Sequence, residues 1–318
     1  LVQEHLARYA VVEDDGFTAL NTAFLEDGAF FNVPDGQSTS YPINLVFITT
    51  GRSQPRVSYP RTLVVAGRNT RTTVLESYIG FCQDPYFTDA VTEIVVRDGA
   101  QVEHYRLLME SDQAFHVGNC RVYQALDSQY ESASFSIGAA MGRNDFQVLL
   151  DAPGASCSLN GLYITKGTQH LDNMVNIDHA EPRTKSRLFY KGVLDGKSRA
   201  VFGGTVLVRK DAQKADARQI DKNLLLSEDA EVDSKPSLLI YADDVQCSHG
   251  ATAGHMDENT LFYMRSRGLG LETASRMLIQ AFAREIIETV KIERLREHLD
   301  QIFVEALPTA TIRLGTGR

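Results

Sequence analysis

The sequence predicts a mainly β protein with short helices at its amino-terminal end and a helical segment at its carboxyl-terminal end. Between about residues 29 and 245, short segments rich in Val, Ile, Thr, Phe and Tyr alternate with Asp-Gly, Pro-Gly and Lys-Gly pairs, which is typical of strands joined by tight turns. Helical periodicity is largely absent over these roughly two hundred residues. With 318 residues, 43% of them hydrophobic, the chain can also bury a large core.

Two short helices are predicted before the strands. Apolar residues at helical spacing indicate the end of a helix within residues 1–10, and residues 17–28 indicate a second helix that Gly28 closes. We expect the second helix to cap the first strands. Since the chain starts with Leu1 rather than Met, we expect it to be a fragment or a processed form.

The strand patterns of the middle region allow two architectures, a pair of sandwich domains or a solenoid. No Pro/Ser-rich linker divides the region and no exact repeat is visible, which disfavours a regular hexapeptide β-helix but leaves an irregular one. The residues alone do not decide between these folds. The patterns lie at 63–67, 72–76, 93–99, 102–108, 115–117, 134–138, 146–150, 162–165, 188–194, 200–208 and 238–241.

Helices are predicted again beyond residue 256. Asp257 or Asn259 is suited to cap a helix that ends at Gly268, a second helix carries one apolar stripe, and a third is expected over residues 292–307. The stripe consists of Ala274, Met277, Leu278, Ala281, Phe282 and Ile286. The three predicted parts, an amino-terminal helical remnant, a β core and a carboxyl-terminal helical segment, are residues 1–28, 29–256 and 257–318.

Charge and cysteine usage exclude several classes of protein. The net charge of -9 and the lack of any Lys/Arg-rich block argue against binding to nucleic acid or an anionic membrane, so we expect protein partners. No stretch is apolar for 18 residues, and the first residues do not resemble a signal peptide. The four cysteines, at 82, 120, 157 and 247, form no Cys-x-x-Cys pair, which favours reduced thiols in a cytosol.

Cys247 and His249 are the main candidate metal ligands. They are two residues apart in a predicted strand, so both side chains point to one face with their Cα atoms about 6 to 7 Å apart. A thiolate and an imidazole suit zinc or iron–sulfur chemistry, but a four-coordinate ion needs about four ligands. Another group must therefore complete such a site, and within the same stretch only His255 is available.

Two segments around these residues resemble the carboxyl-terminal signature of the SufB/SufD family of iron–sulfur cluster assembly scaffolds. They are Ala242-Asp-Asp-Val-Gln-Cys-Ser-His-Gly-Ala-Thr-Ala-Gly254 and Leu261-Phe-Tyr-Met-Arg-Ser-Arg-Gly268. Ser248 and Gly250 favour the SufD branch, because the SufB branch typically carries Cys-Glu-His-Glu-Ala-Thr here. Further blocks that resemble the family, in the family's order, lie at 63–70, 76–80, 158–163, 178–180, 202–204 and 219–227.

This resemblance implies a right-handed β-helix core flanked by helical segments, which decides between the two architectures. It also implies a non-catalytic scaffold that pairs with a SufB-like subunit near the carboxyl-terminal strands. Cys247 and His249 would then lie at the subunit boundary, where two incomplete ligand pairs form one transient cluster site. We expect His249 to be the iron ligand or positioning group and Cys247 an auxiliary thiol.

The resemblance further implies that the helical tail docks the SufC ATPase, and Phe262, Tyr263, Arg265 and Arg267 are the contacts expected there. The chain lacks the Gly-x-x-x-x-Gly-Lys-Ser/Thr phosphate loop, so ATP hydrolysis must belong to that partner. The sequence leaves open whether a flavin acts on the complex and whether a homodimer forms without SufB. The cellular location implied is a bacterial cytoplasm, with a plastid stroma as the alternative.

Other candidate groups have simpler interpretations. Asp243 and Asp244 suggest a rival hypothesis, a β-helix protein that binds or cleaves polysaccharides with clustered carboxylates, although adjacent strand residues face opposite ways. His116 and Cys120 lie in a strand context, where their spacing of four residues carries little weight as a metal motif. His179 is expected to make hydrogen bonds in a turn or at a strand edge, and residues 203–204 indicate a bulge or a point of tight packing rather than a phosphate loop.

Overall fold

The computed structural model describes residues 2–50, 56–81 and 83–306. Within them the chain is a mainly parallel β-solenoid of about 8 turns, with short amino-terminal helices and a carboxyl-terminal helical segment. The predicted fold class is therefore confirmed. Leu1, Cys82 and residues 307–318, on which some expectations fall, lie outside the described residues.

The helices lie towards the two ends of the described chain, and the strands lie between them. The amino-terminal helices are α1 (Val2–His5) and α2 (Gly16–Ala23). The strands are β1 (Gly28–Val33), β2 (Ile43–Thr49), β3 (Arg56–Ser58), β4 (Arg61–Ala66), β5 (Arg71–Gly80), β6 (Tyr86–Val96), β7 (Gln101–Met109), β8 (Ala114–Gln124), β9 (Gln129–Ile137), β10 (Met141–Leu150), β11 (Ser156–Thr165), β12 (His170–His179), β13 (Lys185–Leu194), β14 (Arg199–Val208), β15 (Asp216–Leu225), β16 (Glu231–Ile240) and β17 (Gln246–Gly254). The carboxyl-terminal helices are α3 (Glu258–Ser266), α4 (Leu271–Ile287) and α5 (Glu293–Ala306).

From β4 onwards the strands alternate between two parallel sheets. Among the described residues, the first sheet runs β1-β4-β6-β8-β10-β12-β14-β16, with β3 beside β6, and the second runs β2-β5-β7-β9-β11-β13-β15-β17. Each pair of successive strands therefore makes one turn of the solenoid. The last turn consists of β16 and β17, each of which is the edge strand of its sheet.

A continuous apolar core fills the space between the two sheets, with Ile94, Val122, Phe146, Tyr190 and Phe202 among its members. Most inner strands have 9 to 11 residues, longer than most of the patterns seen in the sequence. The reason is that polar and glycine residues also face the interior and interrupt the apolar pattern. Of the predicted turn pairs, those with Gly99, Gly154, Gly167 and Gly196 place the glycine at positive φ, as tight turns require.

The amino-terminal segment packs on the outer face of the first sheet, and α2 lies over β6 there, as expected for a cap. Leu6 and Tyr9 contact the apolar cluster there. The prediction that Gly28 closes the second helix was wrong, because α2 ends at Ala23 and Gly28 begins β1. A Cβ on Gly28 would lie 2.3 Å from the carbonyl oxygen of Arg61, so this glycine permits close strand pairing instead.

The carboxyl-terminal helices cover the outer face of the second sheet, where α4 and α5 share an apolar cluster with its strands. Asp257 caps α3 and Gly268 follows it, as predicted. The predicted apolar stripe of α4 was partly wrong, since Met277 is exposed. The buried residues of α4 are Ala274, Ser275, Ile279, Ala283, Ile286 and Ile287. In the described part of the chain, no helix is long and apolar enough to cross a membrane.

Candidate metal-ligand pair on the last strand

Cys247 and His249 lie on β17, the edge strand at the open end of the solenoid. Cys247 is half-buried and packs against the apolar core between the sheets, so it faces the interior. Because side chains alternate along a strand, His249 points to the same side. His249 is exposed, and no later turn of the solenoid pairs with β17 in the described part of the chain. The structure thus brings the two predicted residues together on one accessible face.

The protonation of Cys247 follows from its surroundings. Burial raises the pKa of the Cys247 thiol above its ordinary value, so the thiol is neutral near pH 7. A neutral thiol is a poor metal ligand until an adjacent cation favours its deprotonation. The exposed imidazole of His249 is the other type of side chain that zinc and iron take as a ligand. Within the pair, Cys247 is therefore the ligand that depends on a neighbouring charge.

The pair is incomplete as a metal site within this chain. Among the described residues, no group of three or more His, Cys, Asp or Glu side chains is arranged to hold a metal ion. His255, the third candidate, has its Nδ1 at 3.0 Å from the carbonyl oxygen of Leu225. Cys247 and His249 supply at most two of about four ligands that zinc or iron in a cluster takes.

The other two candidate histidines, His116 and His179, are buried and contact polar groups of the chain itself. His116 is buried on β8 and contacts Glu110 at 3.0 Å, while His179 is within 2.8 Å of the hydroxyl groups of Thr184 and Ser186. Burial lowers the pKa of His179 to about 4, so this histidine is neutral. The predicted hydrogen-bonding role of His179 beside a turn is confirmed.

The acidic pair of the rival hypothesis lies elsewhere than predicted. Asp243 and Asp244 belong to the exposed turn between β16 and β17, not to a strand, because the chain changes sheet at this corner. The backbone N–H of Asp244 donates to Gln213 Oε1 at 3.0 Å, which ties the turn to the preceding one. This position gives no support to a carboxylate site for polysaccharides.

The residues expected at a partner interface form an exposed patch on α3, which we call the α3 patch. Phe262 and Tyr263 are 73% and 58% exposed. Arg265 is also exposed, and the Arg267 guanidinium lies 4.8 Å from the centre of the Tyr263 ring. Exposed aromatic and arginine side chains are enriched at protein interfaces. Leu261 anchors the opposite side of the helix in the protein.

One polar residue beside the ligand pair was not singled out from the sequence. Gln219 on β15 is the register partner of His249 and is almost fully buried. The burial pattern of β15 puts Ala217, Gln219, Asp221 and Asn223 on its inward face. Three of these four residues are polar, so the sequence shows no apolar alternation that would mark this face, and it does not show that the row passes beneath His249.

Comparison with known proteins gives a consistent family. Residues 47–282 match the family model for the SufBD core domain of SUF-system iron–sulfur cluster assembly, and residues 1–45 match that for the SufBD protein N-terminal region. An iron–sulfur cluster assembly SufBD family protein of Synechocystis is 35% identical over 94% of this chain and 68% of its own length. The iron–sulfur cluster assembly protein SufD of Escherichia coli is 32% identical over 93% of this chain and 71% of its own.

A plant protein is also similar to this chain. The chloroplastic protein ABCI7 of Arabidopsis thaliana is 34% identical over 89% of this chain, which spans 61% of the plant protein. The matches thus include bacterial and chloroplastic proteins.

Proposed function

Because the chain belongs to the SufBD family of iron–sulfur cluster assembly proteins, we propose that it is a SufD-like scaffold subunit that catalyses no reaction itself. It pairs with a SufB-like subunit and docks a SufC-like ATPase, so ATP acts only through that partner. Its cellular location is a bacterial cytoplasm or a plastid stroma, and the bacterial and chloroplastic relatives support this assignment.

The observation that carries this proposal is the ligand pair on the edge strand β17, which pairs only with β15 among the described residues. Among the described residues, Cys247 and His249 face the same way at the open end of the solenoid, and they fall short of a complete iron or zinc ligand set. A second subunit that covers this end would add the missing ligands and exclude water. The site for the nascent cluster is therefore shared between two subunits.

The two residues have different tasks in this shared site. His249 is accessible and binds iron through a neutral ring nitrogen, or positions it. Cys247 is the auxiliary thiol, because its raised pKa keeps it protonated until iron approaches. The cluster is the cargo of the scaffold, held only while it is built.

The remaining parts of the chain support the site. Residues 29–256 form the scaffold body, and residues 257–318 form the docking segment for the ATPase through the α3 patch. Movement of the docked ATPase opens or closes the subunit boundary at the last turn of the solenoid, since only residues 255–257 separate β17 from α3.

A co-expression experiment tests the ligand role of His249. We expect the chain, a SufB-like subunit and a SufC-like ATPase to elute as one complex that contains iron and sulfide. His249→Ala removes the imidazole ligand, so iron and sulfide per complex should fall at least severalfold while the molar mass of the complex stays the same. Molar mass is measured by light scattering, and iron and sulfide are assayed across the same peak.

Ser248→Ala is the matched control, because Ser248 is exposed on the other face of β17 and should leave loading unchanged. Equal iron and sulfide in the wild-type protein and His249→Ala would rule out the ligand role. Elution of the chain without either partner would rule out the scaffold assignment.

A further inference from the structure

Gln219 lies directly beneath His249 in the stack of strands. The two residues are register partners on β15 and β17, and parallel neighbouring strands are about 4.8 Å apart. Both side chains face the interior, since each lies two residues from a partner, Ala217 or Cys247, that packs against the core between the sheets. Gln219 is only 1% exposed, so its side chain forms the floor under the exposed imidazole.

The orientation of the Gln219 amide is fixed from below. Its Nε2 donates a hydrogen bond to the carbonyl oxygen of Gly204 at 3.2 Å, and a carbonyl accepts only from the nitrogen end of the amide. A Cβ at Gly204 would lie 2.0 Å from this nitrogen, so only glycine leaves room for the amide here. Of the two alternatives predicted for residues 203–204, tight packing is confirmed and a bulge is not, because the strand register is unbroken there.

The other end of the amide has no partner. Gln219 Oε1 is buried, and within the described part of the chain nothing donates a hydrogen bond to it. Buried polar atoms are nearly always hydrogen-bonded, so the orphaned Oε1 is free to accept a hydrogen bond from a group that comes to face it. The second orphaned oxygen of this row, Asp221 Oδ1, lies on the register partner of Ala251 and is therefore one step further from His249.

A histidine that binds a metal through one ring nitrogen usually donates the N–H of the other to a fixed acceptor. This acceptor sets the tautomer and the orientation of the ring. In the described part of the free chain the His249 side chain has no hydrogen-bond partner. An acceptor for the ring N–H of His249 must therefore be found among the groups around it. Gln219 Oε1 is such an acceptor, because it is buried, lacks a partner among the described residues and belongs to the register partner of His249.

We propose that Gln219 is the positioning residue of the site, whose Oε1 accepts the ring N–H of His249 when a partner subunit covers β17 and the other ring nitrogen binds iron. The inference rests on the proposed function for its iron, but the hydrogen bond itself is defined without iron. Gly204 contributes by holding the amide so that its oxygen faces the ring.

Two substitutions of Gln219 separate hydrogen bonding from packing. Gln219→Leu keeps the size and removes the acceptor, whereas Gln219→Glu keeps an acceptor but adds a buried charge. In the co-expressed complex we expect iron retention to fall about 10- to 100-fold with Leu and to fall less with Glu, which keeps an acceptor for His249 but loses the N–H that the Gly204 carbonyl oxygen accepts. A role in packing alone gives the opposite order, because an interior position accepts Leu more readily than Glu.

The second readout needs no iron. Nitrogen-15 spectra are recorded on the iron-free complex in which only this chain carries labelled histidine. One fixed ring tautomer of His249 is expected in the wild type and in Gln219→Glu, and an average of two tautomers in Gln219→Leu. Equal spectra and equal iron retention for wild type and Gln219→Leu would overturn the inference.

These outcomes separate the inference from the proposed function. If His249→Ala lowers loading but Gln219→Leu does not, the ligand role stands and the positioning role is wrong. If His249→Ala loads iron normally, the ligand role is wrong, and the tautomer spectra still decide whether Gln219 accepts from the ring.

Discussion

Asp89 is a buried carboxyl group on the outer face of the first sheet, beneath the amino-terminal segment. The side chain amide of Asn21 on α2 donates to the Asp89 carbonyl oxygen at 2.7 Å, so α2 lies over this position. Asp89 is not exposed, and neither carboxylate oxygen has a hydrogen-bond partner among the described residues. Burial, and to a smaller extent the nearby Asp15, raises the pKa of Asp89 to about 7.

This raised pKa predicts a pH dependence of stability. The pKa of Asp89 is 3.8 in its ordinary state and about 7 when folded, so the folded chain holds a proton that the unfolded chain has lost. Stability should therefore fall as the pH rises from about 4 to about 7 and then level off. Asp89→Asn removes the ionisable group and should stabilise the protein by on the order of 2 kcal/mol at pH 8, allowing for partial screening, but little at pH 4.

Urea unfolding at the two pH values measures this difference. Asp211→Asn, at an exposed position, is the matched control and should change neither value. A gain from Asp89→Asn that is equal at both pH values would show that ionisation of Asp89 is not its cause.

Single residues also show which features of the structure the sequence can predict and which it cannot. Cys247 and His249 could be placed on one face, because strand alternation is a local property. Asp89 could not be recognised as buried, since a polar residue at an outward strand position is normally solvated. Only the docking of a segment remote in sequence removes that water, and neither this nor the contact of Gln219 with Gly204 is encoded in local spacing.

At the scale of elements, Lys191 joins the second sheet to α4. Its side chain is buried, and its ammonium group donates to the carbonyl oxygen of Phe282 at 2.8 Å, pairs with the Glu285 carboxylate and lies 4.2 Å from the centre of the Phe282 ring. Burial lowers the pKa of Lys191, whereas the pairing with Lys191 lowers the pKa of Glu285. The buried charge is therefore costly unless its partner is present.

We predict that the two halves of this pair respond differently to substitution. Glu285→Ala leaves the ammonium buried without its carboxylate and should cost about 1 to 2 kcal/mol, since Glu285 is half exposed. Lys191→Met keeps the packing and removes the charge, so it should cost about 1 kcal/mol or less. Denaturant unfolding gives both values, and hydrogen exchange of α4 shows whether the loss is local. A larger loss from Lys191→Met would mean that the ion pair itself holds the helix.

The helix α4 shows why an element can be predicted while its buried face is not. The apolar residues of α4 cover more than one stripe, so spacing alone allows several faces. The choice is made by the second sheet, whose outer apolar side chains contact Ile279, Ala283 and Ile286. Met277, on the stripe preferred from the sequence, remains in solvent.

At the scale of the molecule, the solenoid could not be told from a pair of sandwiches by periodicity. Positions that stack on one another in the second sheet are separated by unequal numbers of residues, so no exact repeat appears in the sequence. These stacked positions are Gln129, Ser156, Lys185, Asp216 and Gln246. The resemblance to the SufB/SufD family supplied what spacing did not.

The whole molecule presents two separate surfaces to its proposed partners. Ile240, 39% exposed, ends β16 at the open end of the solenoid, where the SufB-like subunit is proposed to bind. Phe262, 73% exposed, belongs to the α3 patch, where the ATPase is proposed to dock. A substitution at one surface should therefore weaken binding of its own partner and leave binding of the other partner unchanged.

A crossed pair of substitutions tests this division. Burying an unpaired carboxylate at an interface should cost about 3 kcal/mol, a loss of affinity of about a hundredfold. Ile240→Asp should release the SufB-like subunit and retain the ATPase, and Phe262→Asp should do the reverse, as measured by the molar mass and composition of the eluted complex. Because both replace an exposed apolar residue with Asp, each is the control for the other. Loss of the same partner from both variants would mean that the end of the solenoid and α3 form one interface, since no independent effect on two sites could give that result.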